Sequence, residues 1–207
     1  MESGGLRSDN YKEKLKNMNS HFDKIIQHSK DTQSIIAIFQ DPSGSDFWAG
    51  YILDYNDEFF VMQHVTKYGK LDGILVEPMY KIRRIDQDDY CKCLQYVLKH
   101  NQELDKEQEI VLSVPKEENW MYHTLKLLEG ETDYIVRISI GSDSRFSGFV
   151  KEVSEDDFVL KCVGHDGQDE GKLYFTIDDI SSFRINDLEA RRRLMLYHFR
   201  QSVDFFI

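Results

Sequence analysis

The feature that most limits what this chain can fold into is that it states one pattern twice. "GYILDYNDEFFVMQHV", Gly50 to Val65, opens on a glycine, runs through apolar residues, breaks at an acidic turn and resumes; "GFVKEVSEDDFVLKCV", Gly148 to Val163, has the same plan. The flanking segments follow. "DTQSIIAI" from Asp31 lies over "ETDYIVRI" from Glu131 at an offset of 100, Gly50 lies over Gly148 at 98, "NDEFFVM" lies over "EDDFVLK" at 99, and "DGILVEPMYKIRRI" from Asp72 lies over "EGKLYFTIDDISSF" from Glu170 at 98. The changes of offset fall at turns. Whatever one half folds into, the other must fold into as well.

Each half reads helix, strands, helix. Leu15, Met18, Phe22, Ile25 and Ile26 recur at helical steps before the first strands; Tyr122, Leu125 and Leu128 do so before the second, with Pro115 suited to the helix entry and Gly130 to its exit. "DQDDYCKCLQYVLKH" and "NDLEARRRLMLYHFRQ" follow the strands, each opened by residues that cap helix N-termini. Between the helices the apolar runs and turn residues predict five strands per half. In the first these are Ile35–Gln40, Phe47–Tyr55, Glu58–Lys67, Gly73–Lys81 and Arg83–Asp86; in the second, Tyr134–Ile140, Phe146–Val153, Asp157–Val163, Lys172–Ile177 and Ser182–Ile185. Five short, sequential antiparallel strands of high twist are expected to close into a small barrel, with Gly50 and Gly148 at its bends. The expected fold is mostly β with flanking helices: two strongly bent five-stranded barrels in tandem, residues 1–100 and 115–207, joined by a linker at 101–114.

With these residues in place, the chain resembles the Sm-like family, in a bacterial tandem variant. Gly50, Ile52, Asp57, Phe59 and Val61 fit its first motif; Gly148, Val150, Phe158 and Leu160 fit it less closely, and "MYKIRRI", Met79 to Ile85, is similar to the Tyr-Lys segment of its second motif in the bacterial RNA chaperone. The resemblance implies SH3-like barrels with open edges at the fourth and fifth strands, and RNA contacts at Asp57, Tyr80, Lys81, Arg83 and Arg84. The departures are Phe60, where RNA-binding members place an asparagine, and the absence of a basic residue from Ile177 to Phe183.

Charge weighs against RNA as the main partner. The net charge is −11, and of the four segments 1–33, 34–100, 101–130 and 131–207 the most basic, 1–33, reaches only +1; binding by counterion release needs a basic face. DNA is not expected. Arg191, Arg192, Arg193 and Arg200 read as a solvated helix face paired with Asp187 and Glu189. No P-loop, dinucleotide-binding glycine motif, G-x-S-x-G or H-E-x-x-H occurs, and the seven histidines lack metal-ligand spacing. Catalytic residues, metal and cofactor are therefore expected to be none. Cys91, Cys93 and Cys162 read as small apolar side chains of a reduced protein. The acidic pairs Asp88-Asp89, Asp156-Asp157 and Asp178-Asp179 read as turn and cap residues.

No apolar run is long enough to span a bilayer, and the polar start "MESGGLRSDN" carries no signal region; the expected location is the cytoplasm. Aromatics in "WAGY" and "DFFI" on an acidic chain suit protein contacts. The expectation is a non-catalytic interaction or scaffold protein that meets a protein partner, or itself, through strand edges. Pro78 makes the fourth strand of the first half a poor ring-forming edge, and a tether favours pairing of the two barrels. The alternatives are RNA binding through Tyr80–Arg84 and a small-ligand or enzymatic site between the barrels.

Overall fold

A computed structural model of the chain describes residues 21–106, 110, 119–141 and 144–202. The chain divides into two units, Met1–Lys99 and His100–Ile207. Leu15, Met18, Pro115 and the phenylalanines of "DFFI" lie outside the described residues.

The first unit contains helix α1 (His21–Thr32), strands β1 (Ile36–Phe39), β2 (Phe47–Tyr55), β3 (Phe59–Val65) and β4 (Leu71–Pro78), a 3-10 turn (Met79–Lys81), β5 (Arg84–Asp86) and most of helix α2 (Asp89–Leu104), whose last residues cross the unit boundary. Residues 101–104, read from sequence as the start of a linker, continue α2. The second unit contains α3 (Trp120–Leu127), β6 (Val136–Ile140), β7 (Ser144–Val153), β8 (Asp157–Val163), β9 (Asp169–Thr176), a 3-10 turn (Ile177–Asp179), β10 (Ile180–Ile185) and α4 (Leu188–Ser202).

Each unit holds one antiparallel five-stranded sheet, in the order β4-β3-β2-β1-β5 and β10-β6-β7-β8-β9. The second is the first repeated, since β10, β6, β7, β8 and β9 take the places of β5, β1, β2, β3 and β4. The registers repeat too. Gly50 pairs with His64 where Gly148 pairs with Cys162, and both β2 and β7 carry an extra residue, Leu53 and Lys151, at the same point of the ladder. Ile36 faces Gly50 where Val136 faces Gly148. The offset is thus 100 through the first strand and 98 from the second to the fifth. The alignment of "NDEFFVM" with "EDDFVLK" at 99 is corrected: Phe60 corresponds to Phe158, and Phe59 to Asp157.

The expected closed barrels are also corrected. Among the described residues β4 pairs with β3 alone and β5 with β1 alone, as β9 does with β8 and β10 with β6, so each sheet is open. The chain crosses from one edge to the other in a single 3-10 turn, and the seam is filled by side chains instead of ladder bonds. Met79 and Ile82 join Ile26, Ile36, Ile38, Ile52, Phe60 and Met62 in one core. In the second unit Ile177 joins Leu125, Leu128, Val136, Ile138, Val150, Phe158 and Leu160.

The opposite face of each sheet is covered in part by the C-terminal helix. Ile35, Ala37, Phe39, Ala49 and Val65 pack with Cys91 and Leu94 of α2, and Ile135, Phe149 and Val163 with Ala190 and Tyr197 of α4. β1 is therefore buried on both faces, which is why its sequence is an unbroken apolar run. Gly50 and Gly148 mark close backbone approach: a Cβ there would lie 2.0 Å from Gln63 O or 2.1 Å from Lys161 O.

Helix α1 is pinned by Ser29, which is fully buried. Its hydroxyl donates to Ser34 O at 2.7 Å and accepts the Ile52 N–H at 3.0 Å, beside the extra residue of β2.

Candidate functional site

The five residues singled out from sequence lie at the β2–β3 turn and after β4. Asp57 is exposed in that turn, but its neighbour Asn56 builds the turn, its side-chain oxygen accepting the Glu58 and Phe59 amides at 2.8 Å. Ser154 does this work in the second unit, accepting the Asp157 amide at 3.0 Å. Tyr80 is 56% exposed on the 3-10 turn. Lys81 Nζ lies 2.7 Å from Glu77, and their hydrogen bond is what raises the lysine pKa above its ordinary value. Arg84 Nε lies 3.0 Å from Asp86, its Nη1 donates to Pro42 O at 2.8 Å, and its guanidinium stands 3.6 Å from the Phe39 ring centre. Arg83 donates to Tyr80 O. The structure thus places Tyr80 and Lys81 on the 3-10 turn, Arg83 just after it and Arg84 at the start of β5, and engages the cations within the unit; Asp57 belongs to a different turn.

The arginines of α4 are not the solvated face their sequence suggests. Arg192 has no exposed surface. Its Nη2 lies 2.9 Å from Asp166, and its Nη1 donates to His165 O at 2.8 Å. Arg193 Nη1 donates to Val163 O at 3.0 Å, and Arg200 Nε to Asp166 O at 2.6 Å. Consecutive positions on a helix diverge, so a run of arginines on a packed helix cannot all face water. This network ties α4 to the β8–β9 turn. Burial favours the neutral form of Asp166, yet hydrogen bonds from His165 and Arg192 outweigh it and hold the carboxyl below the usual range.

Little in the described residues is arranged for bond-making chemistry. No group of three or more His, Cys, Asp or Glu is placed to hold a metal ion. The three cysteines are buried free thiols, and burial pushes Cys91 up to about 12 and Cys162 up to about 11, away from the reactive thiolate. A groove in the second unit, about 530 Å³, is lined by Trp120, Met121, Thr124, Ile180, Phe183 and Ile185 among others, and none of its lining residues is an acid or a base.

What stands out is the outer face of the first sheet, beyond the reach of α2. Because Phe60 and Met62 point into the core, Phe59 and Val61 point outward. Directly paired residues share a face, so Val76 lies beside Val61 and Ile74 beside Gln63. Leu53 is 38% exposed, Phe59 43%, Ile74 64% and Val76 58%. Covering the part of each that is still exposed would contribute about 1–2 kcal/mol. Among the described residues β4 is also an edge strand, with one side of its backbone open to a further strand.

The second unit carries the same face with other residues. Lys151 stands in place of Leu53, Asp157 of Phe59, Lys161 of Gln63, Lys172 of Ile74 and Tyr174 of Val76. Lys172 lies 3.6 Å from Glu152, Lys161 lies 3.0 Å from Asp169, and Val159 beneath them is buried. One fold therefore tolerates a charged outer face and an apolar one. The sequence reading missed this contrast because it placed Phe59 over Phe158, one residue out of register; in a strand such a slip exchanges the two faces. The signal that finds it is Phe60 over Phe158, an alignment at 98 with no change of offset after Gly50.

The architecture and this surface define a two-unit, mostly β protein with an open-edged sheet and flanking helices in each unit. No family model matches the chain, and neither the curated proteins nor the solved structures give a match. Among the described residues no helix is long and apolar enough to cross a membrane.

Proposed function

We propose that the chain is a non-catalytic interaction protein, built from two Sm-like units, whose docking surface is the outer face and open β4 edge of the first unit. The observation that carries this reading is the exposed apolar group Leu53, Phe59, Ile74 and Val76, where the duplicate unit places Lys151, Asp157, Lys172 and Tyr174. Contiguous exposed apolar side chains of this kind mark contact surfaces, and an unpaired strand edge accepts a further strand. The Sm-like reading draws support from the helix before each sheet, the close-approach glycine in the second strand and the open edges at the fourth and fifth.

RNA binding through Tyr80–Arg84 has the exposure of Tyr80 in its favour. Against it, Lys81 and Arg84 are already paired with Glu77 and Asp86.

The test is a photo-crosslinking side chain placed at position 74 and, in a second variant, at position 172, the same register position in the other unit. A discrete protein adduct in cells from position 74 and none from 172 is the expected result. Adducts of equal yield from both, adducts to RNA, or none at all would overturn the proposal.

A further inference from the structure

Resting on that reading, we infer that the partner presents an extended segment with large apolar residues at alternate positions, flanked by lysine or arginine. Three observations point there. First, Ile74 and Val76 lie two apart on an edge strand, next to Phe59 and Val61, so a strand added along β4 would set its own alternate side chains against this apolar row. Second, the row is bounded by exposed carboxylates. Asp57 and Glu58 precede Phe59, and Asp72, 3.4 Å from His64, comes two residues before Ile74. Cations nearby are fewer: Lys30 is held by Asp54 at 2.6 Å, Lys81 by Glu77, and Lys70 stands at the far end of β4. Charge complementarity therefore asks for a basic flank. Third, the same acidic border disfavours a second copy of this surface as the occupant, because symmetric pairing along β4 would bring like charges together.

The pairing stretch is short and defined. Gly73, at φ +78, begins it where β4 bulges against β3, and Pro78, which has no N–H to donate, ends it. Ile74 to Glu77 is the segment a partner strand can read. The duplicate again supplies the control, for the second unit places Lys172 and Tyr174 on its own edge, beside Lys161.

The experiment is fluorescence anisotropy on the full chain with two synthetic peptides of about ten residues, each alternating Ile or Val with Thr, one ending in lysine pairs and the other in glutamate pairs. The lysine-flanked peptide is expected to bind, to weaken as salt rises, and to lose at least about tenfold in affinity to the Ile74→Lys variant. The glutamate-flanked peptide is expected to bind at least about tenfold more weakly. Ile74→Lys introduces the residue type that the second unit carries at this position, and circular dichroism checks that the variant folds. No binding of the lysine-flanked peptide, equal binding of both peptides, or indifference to Ile74→Lys would overturn the inference. So would a dimer in light scattering that Ile74→Lys disperses, which would make a second copy the occupant. If the peptides fail while position 74 still traps a protein in cells, the partner chemistry is wrong and the interaction reading survives; if position 74 also traps nothing, both fall.

Discussion

Arg192 and Asp166 form a pair inside the second unit that neither residue can leave cheaply. Arg192→Met strands the Asp166 carboxylate in a half-buried site and is expected to cost about 3–5 kcal/mol in urea unfolding. Adding Asp166→Asn removes the stranded charge, so the double variant is expected to lose less than the sum of the two single losses. An additive cycle would mean that the pair is not coupled. The pH dependence has a definite sign. A carboxyl held below its unfolded value near 3.9 contributes stability that is complete above that value and is lost as pH falls through the folded one. Asp166→Asn is therefore expected to flatten the acid limb of the stability curve below about pH 4, as read by unfolding at a series of pH values. Sequence could not announce this pair. Three adjacent arginines read as solvated because arginine is so seldom fully buried, and only the fold brings the β8–β9 turn onto α4.

At the scale of elements, one close joint is where the turn after the third strand meets the C-terminal helix. Gly69 and Gly167 hold equivalent places, with φ at +68 and +80. A Cβ would lie 2.7 Å from Val97 C in one unit and 2.4 Å from Leu196 C in the other. Gly167→Ala combines left-handed strain with overpacking against helix backbone and is expected to cost about 2–4 kcal/mol. Gly171→Ala has the strain alone, with nothing within 4 Å of the new Cβ, and is expected to cost about 1–2 kcal/mol. Equal losses in thermal unfolding would show that the helix contact is not tight.

Most elements were legible from sequence because their boundaries are chemical. Turns at "YND" and "SEDD" and a buried run at Ile35–Phe39 leave few choices. The facing of β3 was not legible, since "FFVM" is apolar at every position and alternation carries no information there. Barrel closure was over-read for a related reason. A pattern of five strands fixes their order more readily than it fixes a hydrogen-bonded seam, and here Met79 and Ile82 fill that seam with side chains. For the segment Tyr80–Arg84 expected to contact RNA, sequence did not reveal that Glu77 and Asp86 already hold two of its cations.

At the scale of the molecule, duplication provides its own comparison. Two sheets share strand order, register and bulge positions, so differences on their outer faces are not demanded by folding. The core positions keep their character, Phe60 with Phe158 and Met62 with Leu160, while three outer positions exchange apolar for charged residues: Leu53 for Lys151, Phe59 for Asp157 and Ile74 for Lys172. That divergence is what the proposed contact role of the first unit rests on. The most direct measurement is the thermal unfolding of a Phe59→Asp/Ile74→Lys double variant, which gives the first unit the residue types of the second at both places. If the apolar face is kept for contact and not for stability, the midpoint stays within about 4 °C of the parent. A fall of more than about 10 °C would place these side chains in the folding core and contradict the interaction surface.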